Sequence, residues 1–182
     1  MSKTAELHKE GAPKILKIHV VTVSTSKYHG EGGEDVSGDL IEELLKAGGH
    51  KIAGRTLIPD ERERIGEVFK RLLEADVDAI ISTGGTGVSK TDVTIEAVHP
   101  LLDKDVPGFG ETLRRLSYDE IGSPALLTRA LGGVASGKAV FCLPGSPNAV
   151  ILAMEKLILP EISHIVKHAR ELCKRILRLE EA

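Results

Sequence analysis

The sequence contains no glutamine, no tryptophan and a single asparagine, Asn148, whereas Glu, Lys and Arg are plentiful. Loss of heat-labile amides together with a gain in charge is a tendency of hyperthermophile proteins. We therefore expect a thermophilic source, which a melting midpoint in the ordinary mesophilic range would contradict. Only two cysteines occur, Cys142 and Cys173, far apart, in apolar segments and without metal-ligand spacing. Both are predicted to be buried thiols rather than a disulfide.

Long apolar runs and blocks of like charge are also missing. No run reaches bilayer-spanning length, and the charged N-terminus lacks the apolar stretch of a signal peptide. The 24 basic and 27 acidic residues nearly balance, so nothing indicates a surface for nucleic acid. We expect a cytoplasmic protein with no membrane or nucleic-acid partner, and 182 residues fit one domain with a normal core.

Segments typical of strands and helices alternate along the chain, which favours a three-layer α/β/α fold with a doubly wound, mostly parallel sheet. A loose arm is predicted at 1–13, one domain at 14–179 and a short tail at 180–182, and 25–36 is predicted to be a loop. Pro160 is expected to split the last helical region. Strands are predicted at 14–24, 51–58, 79–83 and 139–143, and helices at 40–47, 64–75, 94–102, 111–117, 119–131, 147–157 and 161–179.

The most informative stretch is 79–94, where an apolar run leads into Gly84-Gly85-Thr86-Gly87 and a polar segment then reaches a helix start at Thr94. Such a turn gathers backbone amides at the carboxyl end of a strand and can bind phosphate, although a plain tight turn also uses glycine. The spacing matches neither the P-loop nor the dinucleotide fingerprint. Asp92, shortly after the glycines, favours the phosphate interpretation.

Other polar groups fall at the carboxyl ends of neighbouring strands. These are Ser24-Thr25, Asp60 and the turn Pro144-Gly145-Ser146, and right-handed crossovers would bring them to the edge that holds the glycine loop. Paired aspartates beside a phosphate site most simply hold Mg²⁺, although the position of Asp60 taken alone slightly favours an N-cap or Asx turn. No hydrolytic triad stands out, and His164 and His168 lack a nearby third ligand, which argues against a zinc site.

Six short motifs occur along the chain: Val23-Ser24, Asp35-x-Ser37-Gly38, Ile58-Pro59-Asp60, Ser82-Thr83-Gly84-Gly85-Thr86-Gly87 with Asp92, Pro107-Gly108-Phe109-Gly110-Glu111, and Leu143-Pro144-Gly145-Ser146. On these motifs the sequence resembles the MoaB/MogA family of molybdenum cofactor biosynthesis proteins over roughly residues 15–159. The segment 116–134 is closer to the MoaB branch.

The resemblance implies an enzyme that adenylylates molybdopterin with Mg-ATP and releases pyrophosphate. It also implies a homotrimer or hexamer and a downstream metal-insertion protein as partner. By position, Asp60 and Asp92 match the two catalytic aspartates of active members, and Asp92 is tied to Mg²⁺. Some bacterial MoaB proteins lack the equivalent of Asp60, which this chain has. Substrate and phosphate contacts are implied for Ser24, Ser37, Thr83, Gly84, Gly85, Thr86, Gly87, Glu111, Pro144, Gly145 and Ser146.

Two other functions share most of these motifs. A carrier that binds molybdopterin without catalysis would not need both aspartates. A nucleotide pyrophosphatase of the competence-damage type would hydrolyse ATP or a dinucleotide without molybdopterin. A purely structural interaction role would leave the two anion-binding turns unexplained.

Overall fold

A computed structural model describes residues 11–180, with side chains described through residue 174. Most of the predicted arm at 1–13, and residues 181 and 182 of the predicted tail, therefore lie outside the described residues. The remainder forms a single domain around one sheet. Both cysteines are free thiols, as predicted. Cys142 is fully buried, also as predicted, whereas Cys173 is partly exposed and not buried as expected.

The sheet has six strands. They are β1 (Lys17–Val23), β2 (Lys51–Ile58), β3 (Ala79–Thr83), β4 (Lys104–Asp105), β5 (Leu131–Ala135) and β6 (Lys138–Leu143). Their order in the sheet is β2-β1-β3-β6-β5-β4. The strands β2, β1, β3 and β6 are parallel, whereas β5 and β4 add an antiparallel edge. The predicted mostly parallel sheet is therefore confirmed.

Helices cover both faces of this sheet, which confirms the three layers. The helices are α1 (Thr25–Tyr28), α2 (Val36–Ala47), α3 (Arg62–Glu74), α4 (Thr94–Val98), α5 (Pro107–Ile121), α6 (Pro147–Ala153) and α7 (Leu159–Glu180). One apolar cluster joins α2, α5, α6 and α7 to the sheet, and a second joins α3 and α4 to the other face. Each central strand feeds both clusters, since neighbouring residues Ile80 and Ile81 belong to opposite ones. No helix within residues 11–180 is both long and apolar enough to cross a membrane.

The region 119–131 was predicted as a helix, and that prediction was wrong. Helix α5 continues to Ile121, a 3-10 turn follows at Ser123–Leu127, and β5 forms a hairpin with β6. Gly132 and Gly133, taken as a helix stop, lie inside β5. A Cβ on Gly132 would lie 2.8 Å from Phe109 Cβ, and one on Gly133 would lie 2.4 Å from Leu102 Cδ1. These glycines let neighbouring elements approach the strand closely.

Three smaller boundaries also differ from the predictions. The predicted loop at 25–36 contains α1, a single helical turn, and α5 begins at Pro107 rather than at Glu111. Pro160 does not split the last helical region. A π-helical turn at Met154–Ile158 joins α6 to α7 and places Pro160 as the second residue of α7. Such a turn accommodates the missing amide of proline without ending the helix.

Candidate functional site

The carboxyl ends of β1, β3 and β6 meet at one edge of the sheet. Thr22 pairs with Thr83, and Thr83 pairs with Leu143, so the three strands end at nearly the same level. The chain order reverses at β1, which has β2 on one side and β3 on the other. A crevice at such a reversal is the usual binding place of open α/β sheets.

The glycine loop at this edge has backbone angles and close contacts that strongly favour glycine. Gly84 has a φ of +97°, and a Cβ there would lie 2.2 Å from Val23 O. Gly85 has a φ of +62°, and its Cβ would lie 2.4 Å from Thr94 Oγ1 and 2.8 Å from Asp60 Oδ1. Hydrogen bonds then fix the loop: Thr94 Oγ1 donates to Gly84 O at 3.0 Å, and Thr94 N donates to Gly85 O at 2.9 Å.

The loop amides divide into two that are used internally and two that are available. The amide of Gly84 donates to Leu143 O at 3.1 Å, and the amide of Gly87 donates to Asp92. Among the described residues, the amides of Gly85 and Thr86 donate to no protein group. These two adjacent amides are the ones that can bind phosphate oxygens.

Asp92 lies against the second half of the loop. Its Oδ2 accepts hydrogen bonds from Ser89 N at 2.9 Å and Ser89 Oγ at 2.6 Å. These bonds hold the pKa of the Asp92 carboxyl below its usual range, with the Gly87 amide and the Arg129 charge adding to the effect against the opposing influence of burial. Asp92 is therefore an anion at neutral pH, beside the available amides.

Arg129 also belongs to this site, although no sequence motif singled it out. Its Nη1 donates to Gly87 O at 2.7 Å, and its Nη2 pairs with the Glu96 carboxylate. Burial alone would raise the pKa of Glu96. The hydrogen bond from Arg129 and the charge of Arg129 outweigh that effect, and the pKa lies below its ordinary value. Arg129 thus ties the segment before β5 to the glycine loop and brings a positive charge near Asp92.

Asp60 lies on the other side of the loop and joins two strand ends. Its Oδ2 accepts hydrogen bonds from Thr25 N at 2.7 Å and Thr25 Oγ1 at 2.9 Å, and its own amide donates to Thr25 Oγ1 at 2.9 Å. Ser24, the residue before Thr25, caps α1, and its Oγ accepts from Lys27 N at 3.4 Å. Asp60 therefore fixes the start of α1 while its Oδ1 faces Gly85.

Two hydroxyl groups hold the turn after β6. Ser37 Oγ donates to Gly145 O at 2.8 Å, and Thr83 Oγ1 donates to Pro144 O at 2.9 Å. Ser146 then begins α6 as its N-cap and accepts a hydrogen bond from Ala149 N at 3.4 Å. The carbonyls of this turn are thus engaged, which orients the start of α6 toward the crevice.

The start of α2 is fixed by a charged network around Asp35. Its carboxylate accepts from Thr22 Oγ1 at 2.5 Å, from Arg55 Nη2 at 2.6 Å and from Gly38 N at 3.2 Å. Burial alone would raise the pKa of Asp35. The hydrogen bonds from Thr22, Arg55 and Gly38 outweigh that effect, and the pKa lies below its ordinary value. Because Ser37 follows within the first turn of α2, this network also places the Ser37 hydroxyl.

Three cavities open around the Pro144-Gly145 turn. One of about 290 Å³ is lined by Ser24, Ser37, Thr83 and Gly84. A second of about 350 Å³ is lined by the rest of the glycine loop, Asp92 and Arg129. A third of about 290 Å³ extends past Ser146 and Asn148 toward the end of α5. The arrangement offers adjoining spaces for two ligands or for one extended ligand.

The structure does not bring Glu111 to this site. It is exposed in α5, one turn past the start of that helix, and it lines none of the three cavities. The site role of Glu111 was implied by the resemblance. The sequence also placed Glu111 at the start of a helix, whereas Pro107 occupies the first position of α5. The remaining residues implied by the resemblance all line a cavity or lie against the glycine loop.

The donor set fits Mg²⁺. No group of three or more His, Cys, Asp or Glu side chains that could hold a metal occurs among the described residues. Mg²⁺ is commonly bound by one or two carboxylates together with water and substrate phosphates rather than by a complete protein cage. Asp92, charged at neutral pH and next to amides that can bind phosphate, meets that requirement.

Comparison with known proteins agrees with this geometry. Residues 19–164 match a family described as "Probable molybdopterin binding domain". "Molybdenum cofactor biosynthesis protein B" of Bacillus cereus is 48% identical over 160 residues, covering 87% of this chain and 93% of that protein. The crystal structure of a protein of the same name superposes with a TM-score of 0.81 at 46% identity, covering 88% of this chain and 99% of that one.

A second solved structure extends the match. The "tungsten cofactor synthesizing protein MoaB from Pyrococcus furiosus" has a TM-score of 0.81 at 40% identity, covering 87% of this chain and 99% of that one. Sequence, fold and site geometry thus point the same way, and the chain belongs to the MoaB/MogA family of molybdenum cofactor biosynthesis proteins.

Proposed function

We propose that this chain is a molybdopterin adenylyltransferase, which transfers AMP from ATP to molybdopterin in molybdenum or tungsten cofactor biosynthesis. The observation that carries the proposal is the glycine loop, whose two available amides, Gly85 and Thr86, lie between the carboxylates of Asp60 and Asp92. Adjoining cavities supply room for both substrates.

In the proposed reaction, a terminal phosphate oxygen of molybdopterin attacks the α-phosphorus of ATP. A new P–O bond forms there, the bond from the α-phosphorus to the bridging oxygen breaks, and pyrophosphate leaves with that oxygen. A phosphate nucleophile is already anionic near neutral pH, so the step needs no strong general base. Catalysis then depends on positioning and on stabilising negative charge.

The protein groups have separate roles in this step. The Gly85 and Thr86 amides would bind phosphate oxygens and hold them in line. Asp92 would hold Mg²⁺, which when bound offsets the negative charge of the triphosphate. Asp60, tied to Thr25 on one side and facing Gly85 on the other, would position the loop rather than accept a proton.

Pyrophosphate release from Mg-ATP by the purified protein, with and without molybdopterin, tests the proposal. Release that depends on molybdopterin is expected, and Asp92→Ala should abolish it while circular dichroism shows a native fold. Asp76→Ala is the matched control, because Asp76 is exposed and pairs with Lys17, away from the site. Release without molybdopterin would indicate a pyrophosphatase, and an active Asp92→Ala variant would refute the role of that carboxylate.

The second candidate function is a carrier that binds molybdopterin without catalysis. Asp60 favours this candidate because it has a structural role, and a protein that only binds molybdopterin would need that role as well. Its hydrogen bonds to Thr25 hold the end of β2 to the start of α1 in either case. Tight molybdopterin binding with no pyrophosphate release, retained in Asp60→Ala, would favour the carrier. The resemblance also suggests a homotrimer or hexamer that passes its product to a metal-insertion protein.

A further inference from the structure

Two histidines of α7 face each other outside the proposed active site. His164 and His168 are one helical turn apart, with ring centroids 4.6 Å apart and an interplanar angle of 58°. The two Nε2 atoms approach to 2.9 Å. The sequence pattern alone argued against a zinc site here because no third ligand lies nearby, but it could not show how the rings face each other.

Each ring is oriented by a carboxylate on its other nitrogen. His164 Nδ1 lies 3.3 Å from Glu161 Oε2, and His168 Nδ1 lies 3.1 Å from Glu171 Oε2. A carboxylate in this position favours a proton on Nδ1 and leaves a lone pair on Nε2, as carboxylates do when they contact the far nitrogen of many metal-bound histidines. Two such lone pairs repel each other unless a proton or a cation lies between the rings.

The separation of the two nitrogens suits a chelated ion. Two nitrogens bound at about 2.1 Å to one ion with an angle near 90° are about 3.0 Å apart, whereas a tetrahedral angle gives about 3.4 Å. The distance of 2.9 Å therefore matches the cis positions of an octahedral or square-planar ion. Imidazole pairs of this kind favour late first-row ions such as Ni²⁺ and Zn²⁺ over Mg²⁺.

The surroundings leave room for the remaining ligands. The pair lines a cavity of about 440 Å³ bounded by α7, β4 and Val134 of β5. The charged groups on its wall are Lys104, Asp105 and Glu171, and the carboxylates offset the single lysine. With no cluster of three metal-binding side chains in the described part of the chain, water would complete the coordination.

This cavity lies away from the phosphate-binding loops. Arg170, two residues after His168, pairs at 2.5 Å with Asp78, which directly precedes β3. Val134 pairs with Ala139 near the start of β6. The histidines are therefore near the amino ends of β3 and β6, whereas Asp60 and Asp92 are at the carboxyl ends of the strands, and the inference does not depend on the proposed function.

We propose that His164 and His168 chelate one divalent late first-row transition ion, at a site separate from the Mg²⁺ site of the proposed reaction. The test is calorimetric titration of the full-length protein with Ni²⁺, and in parallel with Zn²⁺. Wild type is expected to bind one equivalent. His168→Ala and His164→Gln should each weaken that binding by about 10–100-fold, because loss of either imidazole ends chelation.

The controls distinguish metal binding by His164 and His168 from binding by other histidines and from misfolding of a variant. His29→Ala removes an exposed histidine that neighbours Tyr28 rather than another imidazole, and it should leave the affinity unchanged. Circular dichroism identifies any variant that is misfolded, and His168 is exposed enough for alanine to be tolerated. Anomalous scattering at the nickel edge in a crystal should place the ion between the two Nε2 atoms. Absence of one-equivalent binding in wild type, or its survival in a variant that carries both His164→Gln and His168→Ala, would overturn the proposal.

Discussion

Replacing Gly84 by alanine tests whether the glycine loop is held in a conformation that no other residue can adopt. The alanine would need a φ of +97°, and its Cβ would lie 2.2 Å from Val23 O and 3.2 Å from Val23 C. Both neighbours are backbone atoms of β1, so neither can move aside as a flexible side chain would. The clash therefore has to be relieved by moving the loop or the strand.

The size of the effect follows from two contributions. A non-glycine residue in a sparsely populated backbone region costs about 1–3 kcal/mol, and forcing an extra carbon into a packed site costs about 1–3 kcal/mol more. The expected loss in the free energy of unfolding is about 2–6 kcal/mol, within the typical total of about 5–15 kcal/mol, so the variant should still be obtainable. For a domain of this size the melting midpoint should fall by about 5–20 °C.

Gly66→Ala is the matched control for this measurement. Gly66 lies inside α3, and nothing is within 4 Å of the Cβ that would be added there. Alanine should raise the free energy of unfolding by about 0.5–1 kcal/mol because it is the better helix former. The assay is thermal unfolding followed by circular dichroism for wild type and both variants. A midpoint of Gly84→Ala within about 2 °C of wild type would refute the reasoning.

Two further predictions concern charge. Arg129→Ala removes the hydrogen bond to Gly87 O and the partner of the Glu96 carboxylate. The variant should lower the free energy of unfolding by about 1–3 kcal/mol and kcat/KM for pyrophosphate release by about tenfold. If both values were unchanged, Arg129 would not hold the glycine loop as described. Burial lowers the pKa of His19 and of His50, so both stay neutral to a lower pH in the fold than in the unfolded chain, which takes up protons below about pH 6.5. Stability should therefore fall as the pH drops through about 6.5, and a urea midpoint that is equal at pH 7.5 and 5.5 would be inconsistent with this.

The parallel part of the fold could be predicted because its strands carry a strong local signal. Each is a short, largely apolar run that is followed by Gly, Pro, Ser or Asp, and the chain alternates these runs with amphipathic helices. The β5–β6 hairpin could not be predicted, because Gly132 and Gly133 look like a helix stop in sequence. Their actual role is to admit Phe109 and Leu102, which are distant in the chain.

The candidate site, like the fold, could be predicted from the sequence only in part. Asp92 lies near Gly87 because only a few residues separate them, and the position of Asp60 follows from the rule that parallel strands end at one edge. Arg129 was missed because it reaches Gly87 across 42 positions of the chain, within a segment that was predicted to be helical. The sequence also could not show that the amides of Gly84 and Gly87 are used internally, which halves the number available for phosphate.

The Pro144-Gly145 turn separates three cavities, and it is held from both sides by the hydroxyls of Ser37 and Thr83. Two substrates in neighbouring cavities would therefore be divided only by the thickness of one backbone, and their reacting groups could meet without the hinge closure that two-domain transferases use. Binding of the first substrate would tighten or loosen the wall of the second cavity directly. Cooperativity between the two substrates is thus expected to arise within one subunit, from a turn of a few residues.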